Sequence, residues 1–264
     1  MDPKGNTIMR RAKAHAALRR QENAAALDAP VEVRRHPSAR RLTLRVSHTR
    51  RAVIVTMPLE VRVEEAQSFL ERHIDWVRER LRALPHALPF NDGTVLPLRG
   101  VPHRLAFVGL RPRSIAADIM RPVVWVERAA GDGMPTLCVS GHVEHAPRRL
   151  KDWLIAAARE DIASRVAVHS ARLDLKPRRI SVRDQSSRWG SCSTSGLLCF
   201  SWRLILAPPH VLDYVAAHEV AHLQEMNHGP HFWSLVLRSM PQMQVAKSWL
   251  TAHGRDLHAY GSSP

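Results

Sequence analysis

Residues 211–222 read VLDYVAAHEVAH, a segment that holds two histidines four positions apart. Its apolar residues recur at helical spacing, and Pro208-Pro209 suits the first turn of a helix. On that helix His218 and His222 project from one face, one turn above the other. Glu219 lies about 100° round the helix from His218. Two imidazoles in this arrangement can share a metal ion, with a carboxylate beside it.

This spacing is the one that a zinc hydrolase needs, because two imidazoles hold the ion while the neighbouring carboxylate takes a proton from a bound water molecule. A third protein ligand would leave the fourth position of the ion open. We predict His228 for that role, with the helix ending at a left-handed Asn227 and Gly229-Pro230 starting the next helix. His231 is the rival ligand, but it falls inside that next helix. One Zn²⁺ per chain is expected.

Outside this helix the chain alternates between strand-like and helix-like segments. Apolar residues recur at three- and four-residue steps over 62–83 and 146–173, which predicts two more long helices. Short apolar or alternating runs bounded by turn residues predict strands near 31–33, 42–46, 52–56, 94–98, 103–108, 122–127, 136–140, 178–184 and 197–206. The fold class expected from this order is α+β.

The chain is expected to have three regions. Residues 1–29 form a basic tail rich in Ala and Arg, and residues 30–145 form a small α+β region rich in strands. Residues 146–264 form the catalytic domain. In that domain we expect the helix that carries His218 to pack against an antiparallel sheet.

Positive charge is concentrated near the start of the chain. Lys and Arg outnumber Asp and Glu by 39 to 24 overall, and residues 1–60 hold thirteen basic and five acidic side chains. A basic tail can bind polyanions by counterion release, so weak nucleic-acid contact through residues 1–29 is one hypothesis. No DNA- or RNA-reading motif accompanies the charge.

Composition excludes several classes of protein. Apolar residues make up 45% of the chain, which excludes wholesale disorder. No run approaches the roughly 18 apolar residues of a membrane span, so no membrane partner is expected. The three cysteines, Cys138, Cys192 and Cys199, are too few for a disulfide framework and favour reduced thiols in the cytoplasm.

The motif and its surroundings resemble a known family. The HEVAH segment over 218–222, followed by NHGPHFW over 227–233, resembles the YgjP-like metallopeptidases, distant relatives of the SprT-like proteases. RDQSSRWGSCS over 183–193 and SWRLILAPP over 201–209 resemble further signatures of that family. The resemblance covers roughly residues 30–260 and implies a minimal zincin fold. It also implies these roles: zinc ligands His218, His222 and His228, and catalytic base Glu219.

The RWGSC block has two interpretations. Arg188 and Trp189 can form part of the substrate-binding wall or stabilise the oxyanion. Alternatively, Trp189 packs in the core and Arg188 pairs with a carboxylate. Zincins commonly bind a peptide along an edge strand above the metal, and the strand near 197–206 is the candidate for that role.

The leading functional hypothesis is a cytoplasmic, zinc-dependent metallopeptidase that acts on protein or peptide substrates. Two alternatives stay open. One is a SprT-like, DNA-associated protease that its basic N-terminus tethers to nucleic acid. The other is a non-enzymatic module in which zinc only staples helices together.

Overall fold

The computed structural model describes Leu27 and residues 29–110, 122–128, 133–185 and 187–262. It confirms the α+β class. The tail predicted over residues 1–29 lies almost entirely outside the described residues, and the nucleic-acid contact predicted for it lies there as well.

The chain divides into two compact units, Met1–Leu84 and Pro85–Pro264. The boundary predicted from the sequence lies between residues 145 and 146 instead. In the structure, residues 85–145 group with the helices that follow them, because the strands of this region pack on those helices.

The first unit is a three-stranded sheet with two helices. Its elements are β1 (Val31–Arg35), β2 (Thr43–Ser47), β3 (Ala52–Met57), α1 (Val63–Arg72) and α2 (Ile74–Arg82). The strand order is β1-β3-β2, with β1 parallel and β2 antiparallel to β3. The single helix predicted over 62–83 is broken at His73, whose Nδ1 lies 2.8 Å from the carbonyl oxygen of Phe69.

The second unit holds two sheets and four helices among its described residues. The first sheet contains β4 (Val95–Leu98), β5 (Val101–Gly109), β6 (Val124–Glu127) and β7 (Thr136–Ser140), in the order β4-β5-β7-β6. The second contains β8 (Arg179–Arg183), β9 (Gly190–Cys192) and β10 (Leu197–Ser201). The helices are α3 (Ala146–Leu173), α4 (Pro209–Ala221), α5 (Pro230–Ser239) and α6 (Met243–His253).

The sheet that includes β9 is mixed. β10 lies at its centre, parallel to β8 and antiparallel to β9. The antiparallel arrangement expected beside the active-site helix therefore holds for the β9–β10 pair alone. The edge-strand role predicted for 197–206 is wrong, because both sides of β10 are already paired and the outer strands are β8 and β9.

Helix α3 is the long helix against which the histidine-bearing helix packs. It covers the range expected from the sequence because buried residues such as Leu150, Leu154, Ala158 and Ile162 recur every four positions along one face. Pro147 stands in its first turn, and the left-handed Asp174 ends it at φ 56°. The buried face packs against α4.

In the part of the chain that the structure describes, no helix is long and apolar enough to cross a membrane.

A buried polar network locks α3 to α4 and α5. His169 has no exposed surface, and its Nε2 lies 2.7 Å from Asp213 Oδ1 while its Nδ1 lies 2.6 Å from Ser239 Oγ. Arg165 also donates to Asp213, and Arg172 donates to the carbonyl oxygen of Ser239. A Ser–His–Asp set can form a nucleophile, but Ser239 is completely buried. The network therefore fixes the position of α4 rather than performing chemistry.

The network predicts a pH effect on stability. Burial raises the pKa of Asp213, but the hydrogen bonds and charges of His169 and Arg165 outweigh burial and hold this pKa below its usual value. A depressed pKa contributes stability that is present above the unfolded-state pKa of about 4 and is lost as the pH falls through the folded-state pKa. The free energy of unfolding of Asp213→Asn should therefore fall less steeply than that of the unsubstituted protein between about pH 5 and pH 2.

Urea unfolding at a series of pH values measures this difference. Asp152→Asn, at an exposed position on α3, controls for the loss of a carboxylate and should keep the unsubstituted slope. Equal slopes for Asp213→Asn and the unsubstituted protein would contradict a depressed pKa at Asp213.

Candidate metal centre

The end of α4 differs from the prediction in one respect. The helix ends at Ala221, with His222 as its C-terminal cap, and Gln224 N–H donates to the carbonyl oxygen of Ala221. Asn227 does not adopt a positive φ, so the left-handed helix end predicted there is wrong. The chain nevertheless turns back before α5 begins at Pro230, as expected. The turn brings His228 over the face of α4.

Three imidazoles converge at this turn. His218 Nε2 lies 3.2 Å from His222 Nε2 and 3.1 Å from His228 Nε2. One ligand atom from each ring lies within 4.8 Å of the other two, and among the described residues this trio is the group of His, Cys, Asp and Glu side chains able to hold a metal. His231 is exposed on the first turn of α5 and does not belong to the trio.

Aromatic side chains from α5 support the three rings. Phe232 is fully buried, and its ring centroid lies 4.5 Å from that of His222 and within 5 Å of those of His218 and His228. The Trp233 centroid lies 5.9 Å from that of His228 and 6.1 Å from that of His218. The rings are thus held in place by packing before any ion binds.

Burial favours the neutral form of two of the three rings, His218 and His222. It lowers the pKa of His218 to about 3, with smaller contributions from the charges of His222, His228 and Lys247. Burial also lowers the pKa of His222, although Nδ1 of that ring lies 3.0 Å from the carbonyl oxygen of Glu225 and this hydrogen bond offsets part of the shift. An Nδ1–H that donates to a carbonyl leaves the lone pair on Nε2, which faces His218.

The trio fits a tetrahedral zinc ion. Zn–N bonds of 2.0–2.1 Å at tetrahedral angles place two ligand nitrogens about 3.3–3.4 Å apart. The two shorter separations here, 3.1 and 3.2 Å, are close to that value. Neutral lone pairs that point at one another repel unless a cation lies among them. The donor set and its spacing therefore match a divalent ion that prefers imidazole.

Glu219 lies against the backbone of β9. Its side chain is only 4% exposed, and its Oε2 has no hydrogen-bond partner among the described residues. Burial raises the pKa of Glu219 to about 8, and the nearby charge of Arg188 offsets part of that shift. Tyr214 stands one turn before His218, with ring centroids 5.8 Å apart, and burial together with the Glu219 charge raises its pKa to about 12.

The two residues of the RWGSC block occupy different environments. Arg188 is exposed, and no described carboxylate forms an ion pair with it. Trp189 is half-buried and stacks on His258, with ring centroids 4.8 Å apart and 22° between the planes. The structure thus places Arg188 at the surface, where its charge acts on Glu219, and packs Trp189 against the core of the second unit.

Sequence reasoning missed two features of this site. Gly190 lies so close to Glu219 that a Cβ built on it would meet the carboxylate. Lys247 on α6 places its Nζ 4.4 Å from the centroid of the Trp233 ring. Gly190 lies within residues 183–193, a segment that resembles a family signature, and this resemblance could have indicated its importance. Lys247 belongs to no motif, and only the tertiary fold brings it near the histidines.

A family model, rather than a solved structure, connects the chain with known proteins. No curated protein matches the chain significantly in sequence. One similar solved structure is the crystal structure of the metallopeptidase zymogen of Pyrococcus abyssi abylysin, with 17% identity and a TM-score of 0.33. The likeness covers 36% of this chain and 96% of that one, and so low a TM-score leaves the assignment to the family model. The model of the YgjP-like metallopeptidase domain matches residues 40–253. The chain therefore belongs to the YgjP-like metallopeptidase family.

Proposed function

We propose that the chain is a zinc-dependent peptidase in which His218, His222 and His228 hold the ion and Glu219 is the general base. Membership of a metallopeptidase family implies a metal ion and a protein or peptide substrate. The observation that carries the finer proposal is the convergence of three imidazole nitrogens beside a buried carboxylate. When bound, zinc supplies a Lewis acid that polarises the scissile carbonyl and acidifies a water molecule.

Glu219 accepts the proton of the attacking water and passes it to the departing amine nitrogen. A base and acid of this kind works best when its pKa is near the working pH, and burial moves the pKa of Glu219 in that direction. Arg188, which is exposed and acts electrostatically on Glu219, is the side chain of the RWGSC block that we assign to substrate contact. Trp189 contributes by packing, since its ring stacks on His258.

The substrate backbone is proposed to lie along β9. This strand is an outer strand of its sheet, paired on one side with β10. Its first residue, Gly190, contacts Glu219. An extended peptide that adds to an exposed strand edge gains main-chain hydrogen bonds without regard to its sequence. Addition at β9 would bring a peptide bond to the carboxylate and the three histidines.

The ligand assignment predicts zinc content. The unsubstituted protein should hold one zinc per chain, and His222→Ala should weaken zinc binding by more than about a hundredfold because a direct ligand is lost. His231→Ala should keep full zinc content, since His231 does not belong to the trio. Metal analysis after dialysis measures both. Retention of zinc by His222→Ala, or its loss from His231→Ala, would overturn the assignment.

The role of Glu219 predicts a separation of binding from catalysis. Glu219→Gln should hold one zinc per chain but cleave unfolded casein about 10²–10⁴-fold more slowly, because the amide cannot accept the proton. Measured cleavage rates and zinc content of the two proteins decide the matter. Equal cleavage would remove Glu219 from the mechanism. If both proteins hold zinc and neither cleaves, the module in which zinc only joins helices is favoured.

Gly190 positions Glu219 by leaving room for it. A Cβ built at Gly190 would lie 2.6 Å from Glu219 Cγ and 2.7 Å from Cδ, closer than real atoms approach. The requirement is one of space, since the neighbouring atoms belong to a buried side chain that has little freedom to move aside. Only glycine therefore lets β9 pass directly over the carboxylate.

This contact predicts energetic coupling between the two residues. Gly190→Ala should lower the free energy of unfolding by about 1–3 kcal/mol through overpacking. In a Glu219→Ala background the same substitution should cost much less, because Cγ and Cδ are gone. Gly229→Ala is the control: an added Cβ there meets nothing within 4 Å, and its effect should stay below about 1 kcal/mol. Additive effects of Gly190→Ala and Glu219→Ala in urea unfolding would contradict the contact.

A further inference from the structure

The ammonium group of Lys247 and the histidine trio lie near the same aromatic ring, that of Trp233. Lys247 belongs to α6 and holds its Nζ over the face of Trp233, 4.4 Å from the ring centroid. The same indole lies about 6 Å from the rings of His218 and His228, measured between centroids. Trp233 is therefore a common neighbour of the ammonium group and of two rings of the trio.

The Lys247 ammonium has no acidic partner. Among the described residues, no carboxylate lies within ion-pair distance of Nζ, whereas Lys151 pairs with Asp184 at 2.9 Å. A cation over an aromatic face gains about 0.5–1 kcal/mol at an exposed site and keeps its three N–H donors available. The half-buried Lys247 is thus held in place without being neutralised.

Arg188, which precedes the HEVAH segment in sequence as Lys247 follows it, is a second cation near the site. Arg188 precedes β9 and acts electrostatically on Glu219, while Lys247 acts on His218. The three imidazoles are neutral ligands, so a divalent ion there keeps its full charge. Glu225 also acts electrostatically on His222, so two carboxylates, Glu219 and Glu225, offset part of this positive charge. A divalent ion and two cationic side chains outweigh these two carboxylates, and a positive site of this kind attracts negative charge.

We infer that Lys247 binds a carboxylate of the substrate, so that the site prefers peptides with a negative charge close to the scissile bond. This inference rests on the proposed function, because it names the class of peptide that the same site takes. The carboxylate can be the C-terminal α-carboxylate of a short peptide or the side chain of an Asp or Glu residue. Both present the same two oxygens to an ammonium group.

Binding without cleavage tests the inference. The zinc-loaded full chain carrying Glu219→Gln is titrated by calorimetry with three acetylated hexapeptides of alanine and leucine. One has a free C-terminal carboxylate, one ends in an amide, and one ends in an amide but has a central Asp. At least one carboxylate peptide should bind about tenfold or more tightly than the neutral amide, as an ammonium–carboxylate pair near a protein surface allows.

Substitutions at Lys247 assign the preference to that residue. Adding Lys247→Gln should bring the affinity ratio of carboxylate to neutral peptide close to one, and Lys247→Arg, which keeps the charge, should restore most of it. Lys176→Gln removes an exposed lysine outside the site and should leave the ratio unchanged. If the starting protein shows no preference, or if Lys247→Gln keeps it, the inference is overturned.

The result also separates the inference from the proposed function. Cleavage of the same peptides is followed in parallel with Glu219 intact. A carboxylate preference that depends on Lys247, together with no cleavage, supports the binding site and contradicts the peptidase proposal. Cleavage with equal kcat/KM for carboxylate and neutral peptides supports the peptidase proposal and overturns the role of Lys247.

Discussion

The packing of α4 against α3 is the constraint on which the site depends. Helical spacing aligns His218 and His222 only if α4 remains helical to its last turn, and burial among α3, α5, α6 and β9 keeps it so. The hydrogen bonds from His169 to Asp213 and Ser239 fix α4 along α3 at a second point. The histidine trio is therefore a consequence of how one helix is held in the core.

The burial that holds α4 also shifts the pKa values of His218 and Glu219, and it lowers the stability of the fold. Glu219 Oε2 and His218 Nδ1 are buried without a hydrogen-bond partner among the described residues. Each such group costs about 1–3 kcal/mol of stability. In return, low exposure keeps the His218 ring neutral and raises the pKa of Glu219 towards the working pH. These two buried side chains thus lower the stability of the fold and supply the features on which the proposed metal site and general base depend.

Local pattern was enough to predict the extent of α3 and the start of α4. The limits of α3 follow from its four-residue apolar repeat and Pro147, and the start of α4 follows from Pro209. The positions of His218 and His222 then need no knowledge of the rest of the chain. The turn that presents His228 was expected, because Pro230 starts a helix. The geometry of the turn was not expected, because α4 ends earlier than predicted, where the residues that follow donate backbone hydrogen bonds to its last carbonyl groups.

The features that were not predicted from the sequence depend on contacts between distant segments of the chain. β9 is three residues long and has no periodic pattern, so its pairing with β10, and with it the central place of β10, follows only from tertiary structure. The charges around the trio have the same origin. Arg188 comes from before α4 and Lys247 from after α5, and folding brings both to the site that α4 carries. A metal-binding motif can therefore indicate a reaction, whereas the substrate preference that we infer depends on side chains that the motif does not contain.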